Sequence, residues 1–515
     1  MILAATDPIT TPSIDWFAIA PPLALFAAAV LIVLVRSLFR HHRWVGPAAA
    51  AAAAAGIVTS GVFVFVQWAF VHSDGPWEAI AGMVAVDGFG VFLQSVVLVA
   101  TLLALMISVG YVHRARLEMA EYIVLMLCSA TGMLLMVSAN DLITVFLSLE
   151  ILSIALYVLV AFDRHRRESQ EAGLKYFLLG AFSSAVLLYG IALTYGSTGT
   201  TNLTGIAQYL AGTTIIENGV LLCAFGFLLV GLGFKIAAAP FHMWTPDVYE
   251  GAPTPVTTFM AAATKAAAFA ALLRLFVGAF SLYRADWRPA IWGLAVLSLL
   301  VGSIAAVVQT DVKRMLAYQS ISHAGFILIG VEAATTAGTS AALFYLGTYA
   351  LMATGAFAVV MVIARRGDDR HSLPDYRGLA RSQPLLAGLL TLFLLAQAGV
   401  PLTGGFVAKL SVFSAAVDVG QYWLALIGML SAVIGAFVYL RIVLAMYAPP
   451  EEFGEPDPDP VRVDTGTRIA LAVAAAAVVF LGVAPGLVLD YARDATQLVV
   501  CATPAADAPP QSCGK

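Results

Sequence analysis

Residues 231–255 read Gly231-Leu-Gly-Phe-Lys235-Ile-Ala-Ala-Ala-Pro240-Phe-His242-Met-Trp-Thr-Pro-Asp-Val-Tyr-Glu-Gly251-Ala-Pro-Thr-Pro255, and the reading of the whole chain turns on them. They close an apolar run that begins near Gly219, yet they place Lys235 where a membrane span is driest. A charge at that depth costs at least about 2.5 kcal/mol, so it has to face protein or water and marks a functional site by default. Pro240 removes a backbone donor and clashes with the preceding turn, which interrupts the helix and frees carbonyls to meet water or a cation. A lysine beside a broken helix reads as an ion station.

Working outward, the chain has 515 residues, 61% hydrophobic and 11% charged, with a mean hydropathy of +0.90. A soluble protein carries about a quarter charged residues, so this is an integral membrane protein. The net charge of −4 comes without a basic block, which gives no sign of nucleic-acid binding. No Gly-rich dinucleotide fingerprint or P-loop occurs, and the four cysteines lack zinc or iron–sulfur spacing. No metal site is expected, and any redox chemistry belongs to another chain. Cys128 and Cys223 read as buried thiols, whereas Cys501 and Cys513 sit in a Pro/Ala-rich tail that either carries a disulfide or is disordered. No Lys or Arg precedes Arg36, and Asp7 and Asp15 oppose a signal peptide, so the first span is expected to be retained.

Fourteen runs approach the ~20 apolar residues of a span, near 16–36, 45–71, 88–111, 121–138, 141–162, 172–195, 218–242, 255–280, 289–308, 314–331, 340–364, 384–418, 421–447 and 467–490. Basic residues collect in the loops after odd-numbered spans, as at Arg36, Arg40 and Arg43 or Arg164, Arg166 and Arg167, which puts both termini outside. Spans 7 and 12 are too long, and both are interrupted, at Pro240 and at Pro401, Gly404 and Gly405. Matched breaks in two halves point to inverted repeats with sites near the midplane. The expected fold is all-α and polytopic, with about 14 transmembrane helices and two inverted five-helix repeats whose helices 7 and 12 are discontinuous. The expected divisions are a three-helix segment at 1–120, repeats at 121–280 and 281–447, and an acidic loop, last helix and polar tail at 448–515.

Few charges remain inside the spans. Glu150, in Ser-Leu-Glu-Ile-Leu-Ser, is the one acid placed deep, and opposite a lysine it stays ionised. Lys235, Lys265 and Lys409 are buried amines on separate spans, and burial moves such groups towards releasing a proton near neutrality. A Glu–Lys pair that separates would switch the lysine's proton affinity; a static ion pair between spans 5 and 7 is the plainer reading. His323, with Ser320 and Ser322, suits a relay between Lys265 and Lys409 or a hydrogen-bonded core. His242 reads as an entry group or an interfacial residue. Arg274 reads as structural, Asp87 and Asp141 as helix caps, and Trp16, Trp44, Trp68 and Trp287 as interfacial anchors.

The 231–255 stretch resembles the span 7–8 signature of the antiporter-like subunits of respiratory complex I, its Asp-Val-Tyr-Glu-Gly-Ala-Pro wording being closest to the subunit N branch. Ser-Leu-Glu-Ile-Leu-Ser around Glu150, Asp311-Val-Lys-Arg-Met-Leu-Ala-Tyr-Gln-Ser-Ile-Ser-His-Ala-Gly and Pro401-Leu-Thr-Gly-Gly-Phe-Val-Ala-Lys409 extend the likeness over roughly 85–445. The resemblance implies proton movement driven by quinone reduction elsewhere, with Glu150 and Lys235 as a switching pair, Lys265 as central relay and Lys409 on the exit side. It implies that NADH, FMN, iron–sulfur clusters and quinone are bound by other subunits. The implied partners are membrane subunits M, K and J, through them A, H and L, and the peripheral redox arm. The implied place is a bacterial inner membrane. A subunit of a multi-subunit sodium/proton antiporter is the alternative.

Overall fold

The computed structural model describes residues 13–40, 42–213, 218–364, 368–449 and 463–499. Most of the acidic loop, and Cys501 and Cys513, lie outside them.

The chain opens with α1 (Ala20–Leu38), α2 (Val45–Asp74), a short hairpin of β1 (Trp77–Ala79) and β2 (Val84–Val86), and α3 (Gly88–Ala115). A first unit follows: α4 (Met119–Ser138), α5 (Leu142–Val160), α6 (Arg167–Thr198), a short α7 (Leu203–Gly212), then α8 (Gly219–Ile236) and α9 (Trp244–Gly251), the two halves of span 7. Its last member is α10 (Thr254–Phe259) continued through a π-turn (Met260–Thr264) into α11 (Lys265–Leu273). The second unit is α12 (Arg284–Val307), α13 (Val312–Glu332), α14 (Thr336–Ile363), a single turn α15 (Leu379–Ser382), the half-helices α16 (Pro384–Ala398) and α17 (Gly404–Asp418), and α18 (Tyr422–Tyr447). α19 (Thr465–Val483) and α20 (Gly486–Val499) close the chain.

The two units repeat one packing plan. In each, the first helix packs on the second, the third on both halves of the broken helix, and the fifth returns to the first: α4 on α5, α6 on α8 and α9, α11 on α4; then α12 on α13, α14 on α16 and α17, α18 on α12. The backbone repeats it too. Leu142 N donates to Thr201 O (2.9 Å) and Leu203 N to Asn140 O (2.8 Å), tying the start of α5 to the end of α6. At the same separation along the chain, Val312 N donates to His371 O (2.7 Å) and Leu373 N to Thr310 O (2.9 Å). Asp141 and Asp311 cap the helices that follow, accepting from Ile143 N (2.8 Å) and Arg314 N (2.8 Å). Five crossings per unit is an odd number, so the second unit runs inverted.

Among the described residues, twelve helices are long and apolar enough to cross a membrane. α13, enriched in polar residues, and the broken α16–α17 pair complete the expected fourteen. Span 14 is shorter than its apolar run: it stops at Val483, and Pro485 starts the separate helix α20, which packs on α3 and α14 through Tyr491 and its neighbours. The hairpin at 77–86 and α7 lie in stretches read as loops. Trp287 is not an interfacial anchor; it is buried and donates to Phe280 O (2.9 Å). Cys223 is exposed on α8 rather than buried, because it lies on the side of an apolar helix that would face lipid.

Gly302 of α12 lies against α13, where a Cβ would overlap the backbone of Ser322 and Tyr318, whereas Gly293 has open space around its Cβ position. Gly302→Ala is therefore expected to cost about 1–3 kcal/mol by overpacking and to lower the thermal midpoint, with Gly293→Ala unchanged or slightly raised.

Candidate functional site

The sequence breaks both long spans in the same way. α8 ends with Ala237 in the left-handed region (φ 61) and Ala238 N returning to Gly233 O (2.8 Å); α16 ends with Gly399 (φ 91) and Val400 N returning to Leu395 O (3.1 Å). These are Schellman closures, which end a helix within one turn. Beyond the second break, Gly405 sits so close to the Ala396 carbonyl that no side chain fits. Each first half-helix thus presents its negative end inside the bundle, where a cation is favoured.

All three lysines are buried and have polar partners. Lys235, in the last turn of α8, donates to Ser153 Oγ of α5 (2.7 Å) and Tyr176 Oη of α6 (3.1 Å), with its ammonium 5.2 Å from the Tyr176 ring centre. Lys265 follows the π-turn and donates to Ser320 Oγ (2.7 Å) and to the Ser320 carbonyl; its ammonium lies 5.0 Å from the Tyr349 ring centre, and Tyr349 Oη donates to Ser320 Oγ (2.8 Å). Lys409, from α17, reaches back to Ala398 O at the C-terminal end of α16 (2.9 Å) and lies over Phe326 (4.7 Å). The carbonyl freed by the break is the one the lysine takes.

His323 bridges Tyr345 Oη (2.8 Å) and Tyr439 Oη (3.0 Å), and Tyr439 donates to Gln397 Oε1 (3.0 Å), the neighbour of Ala398. Its ring lies 4.8 Å from that of Tyr349. Ser322 pairs with Ser431 (3.2 Å). Polar groups therefore follow one another from Lys265 through Ser320, Tyr349, His323, Tyr439 and Gln397 to Lys409. The register that superposes Asp141 on Asp311 places Glu150 at Ser320 and Ser153 at His323, so equivalent positions of α5 and α13 carry these residues.

Glu150 and Lys235 are not an ion pair here. Lys235 is held by Ser153, one turn further along α5, and the buried Oε1 of Glu150 has no hydrogen-bond partner. Beside Lys235, a cavity bounded by Tyr157, Ser183, Ser184 and Gly231 leaves about 10 Å³ for a water centre, close to the least that one molecule needs. Among the described residues no hydrogen bond joins the Lys235 group to the Lys265 group; between them lie the rings of Tyr176, Trp244 and Tyr249. His242 lies in the break between α8 and α9, half-buried, its Nδ1 without a partner.

Two ionic groupings were invisible in sequence. Asp368, buried in the loop after α14, contacts Arg166 (3.1 Å), Lys313 (3.5 Å) and His371 (3.2 Å), and accepts from Thr254 N (3.0 Å) and Thr254 Oγ1 (2.5 Å). Burial alone would raise its pKa; Lys313, His371 and Arg166 outweigh that and hold the carboxyl well below the usual carboxylate range. The knot joins the N-terminal end of α10, which continues into the Lys265-bearing α11, to that of α13, which carries Ser320. Asp247 and Glu250 of the 231–255 stretch meet Arg314 (2.8 and 2.6 Å), and Asp247 also meets Lys175 (2.7 Å). Arg274 is structural as read: it grips Asp87, itself the cap of α3, through both nitrogens (2.9 and 2.8 Å).

Paired broken helices with a buried lysine at each break define an antiporter-like membrane protein. Residues 139–435 match the family described as NADH:quinone oxidoreductase/Mrp antiporter, TM. The chain is 45% identical over 444 residues to NADH-quinone oxidoreductase subunit N of Trichlorobacter lovleyi, covering 86% of this chain and 90% of that one. It is similar to a chain in the structure of respiratory complex I from Thermus thermophilus with bound aureothin, with TM-score 0.77 and 35% identity over 91% of this chain and 98% of that one. It shares its fold with a chain of the Mrp complex from Dietzia sp. DQ12-45-1b, with TM-score 0.81 and 22% identity over 94% and 97%. This chain belongs to the NADH-quinone oxidoreductase subunit N family, the proton-translocating membrane subunits of complex I.

Removing one charge of a buried cluster strands the others, at about 3–5 kcal/mol. Asp368→Asn is expected to reduce sharply the assembled complex recovered on a native gel, while Asp247→Asn, in a half-exposed network worth under about 1 kcal/mol, leaves the yield near wild type. The depressed carboxyl stabilises the fold above the unfolded value of about 3.9 and loses that contribution as pH falls through its lower folded value. The difference between the two variants is therefore expected to persist unchanged at neutral pH.

Proposed function

We propose that this chain moves protons through the membrane arm of NADH:quinone oxidoreductase along the Lys235, Lys265, His323 and Lys409 groups. The observation that carries this is the succession of buried hydroxyls, imidazole and amide between Lys265 and Lys409, at the depth where a membrane protein otherwise excludes polar groups. Lys235 serves as the switching amine. With Glu150 unpartnered and Lys235 on Ser153 and Tyr176, the arrangement is the separated one; movement of Glu150 towards the ammonium raises its proton affinity, and withdrawal lowers it. Water beside Ser183 and Ser184 supplies the link to that amine, and Tyr349 and His323 carry the proton between the second and third lysines. His242 stands at the entry end, and Ser322 lines the path.

In this reading NADH, FMN, the iron–sulfur clusters and quinone are held by other subunits, and the chain sits between membrane subunits M, K and J, through them joined to A, H, L and the redox arm. Its place is the bacterial inner membrane, with both termini outside, which the basic loops after odd-numbered spans support. Kinship in fold with an Mrp chain keeps a sodium/proton antiporter subunit as the second reading, and a native complex without flavin and iron–sulfur subunits would favour it.

Lys265→Ala is expected to lower quinone-coupled proton translocation by about 10²-fold, the range for loss of a positioned proton-transfer group. NADH:quinone turnover should fall with it, and reduction of an artificial acceptor at the redox arm should not. Wild-type pumping by an assembled Lys265→Ala complex in vesicles would overturn the route.

A further inference from the structure

Where the ends of α2, α3 and α4 meet, away from the lysine groups, a cleft of about 450 Å³ opens to the surface. Its wall is apolar, from Val109, Val112 and Met119, and its rim carries Arg43, His113 and Arg116. Among the described residues, Arg43 and Arg116 make no hydrogen bond or ion pair. Two nearby acids are engaged elsewhere, Glu118 by Arg36 (2.9 Å) and Asp464 by Arg114 (3.6 Å). Trp44, beside Arg43 and half exposed, sets the level of the cleft at the boundary between hydrocarbon and headgroups.

Two free guanidiniums above an apolar wall at that level complement an anion joined to a chain. Guanidiniums take phosphate through paired N–H donors, and basic pockets between spans recruit anionic lipids. We propose that this cleft holds the phosphodiester headgroup of one anionic phospholipid, with Arg43 and Arg116 on the phosphate and the first methylenes against Val109 and Met119. Arg116 fits the role by its backbone as well: it closes α3 in the left-handed region (φ 55), a place a glycine would occupy more comfortably, so a guanidinium stands where local geometry does not ask for one. The inference requires that the chain spans a bilayer and is independent of the proton route.

The test uses the whole purified complex in phosphatidylcholine nanodiscs doped with phosphatidylglycerol, counting retained phosphatidylglycerol by native mass spectrometry. Arg43→Gln with Arg116→Gly removes both charges, the glycine keeping the left-handed cap. One fewer retained phosphatidylglycerol is expected, with about thirtyfold weaker retention at the lost site, from two arginines near an anionic headgroup. Gly46→Trp fills the cleft without changing its charge and is expected to expel the same lipid. Unchanged retention in either variant overturns the proposal. So does release of the lipid by excess inorganic phosphate, which would make the site a phosphate site without a tail.

Discussion

An ammonium group in the middle of a bilayer has to be resolvated by protein, and this structure meets that need three times. Each solution uses an irregular helix. Lys235 lies in the last turn of a half-helix that stops inside the bundle, Lys409 takes a terminal carbonyl of the other half-helix, and Lys265 stands at the end of a π-turn. Hydroxyls and ring faces complete each shell: Ser153 and Tyr176, Ser320 and Tyr349, and Phe326. The breaks, the hydroxyls and the amines require one another. A regular helix at 399–403 would take from Lys409 the Ala398 carbonyl, the one hydrogen-bond acceptor it has among the described residues.

That dependence explains the doubled architecture. Asp141 and Asp311 start equivalent helices, each stitched to the loop after the third helix of its unit. Within this common frame α5 carries Glu150 and Ser153, while α13 carries Ser320 and His323 at the matching positions. One unit is thus equipped with a carboxylate beside its broken-helix lysine, the other with an imidazole. The fifth helix of the first unit, bearing Lys265, docks on the second helix of the second unit through Ser320, so the units meet at a proton-binding group. Asp368 fastens the same two helices at their N-terminal ends.

Much of this was legible in the chain because membrane burial makes a polar residue conspicuous. Lys235, Lys265, Lys409, Glu150 and His323 stood out against apolar surroundings, and Pro240, Pro401 and Gly405 marked the breaks. Less was legible where the deciding fact is a rotation or a contact across the fold. Nothing local reveals that Lys235 turns to Ser153 and Tyr176 rather than to Glu150. Tyr349, Tyr439 and Gln397 look like ordinary span residues until packing brings them beside His323. Asp368, in a charged loop, gave no sign of being buried, because its partners Tyr111, Arg166, Thr254 and Lys313 come from four other segments. Cys223 and Trp287 show the converse: their apolar surroundings are the same in sequence whether a side faces lipid or core.

The central claim is a hydrated line at mid-depth, and ordered water is its most direct readout. A map of the intact complex at a resolution that places water molecules is expected to show them between Tyr176 and Ser320, between Tyr349 and His323, and beside Ala398, each within hydrogen-bond reach of the next polar group. Tightly packed apolar side chains and no water in those three gaps would contradict the account.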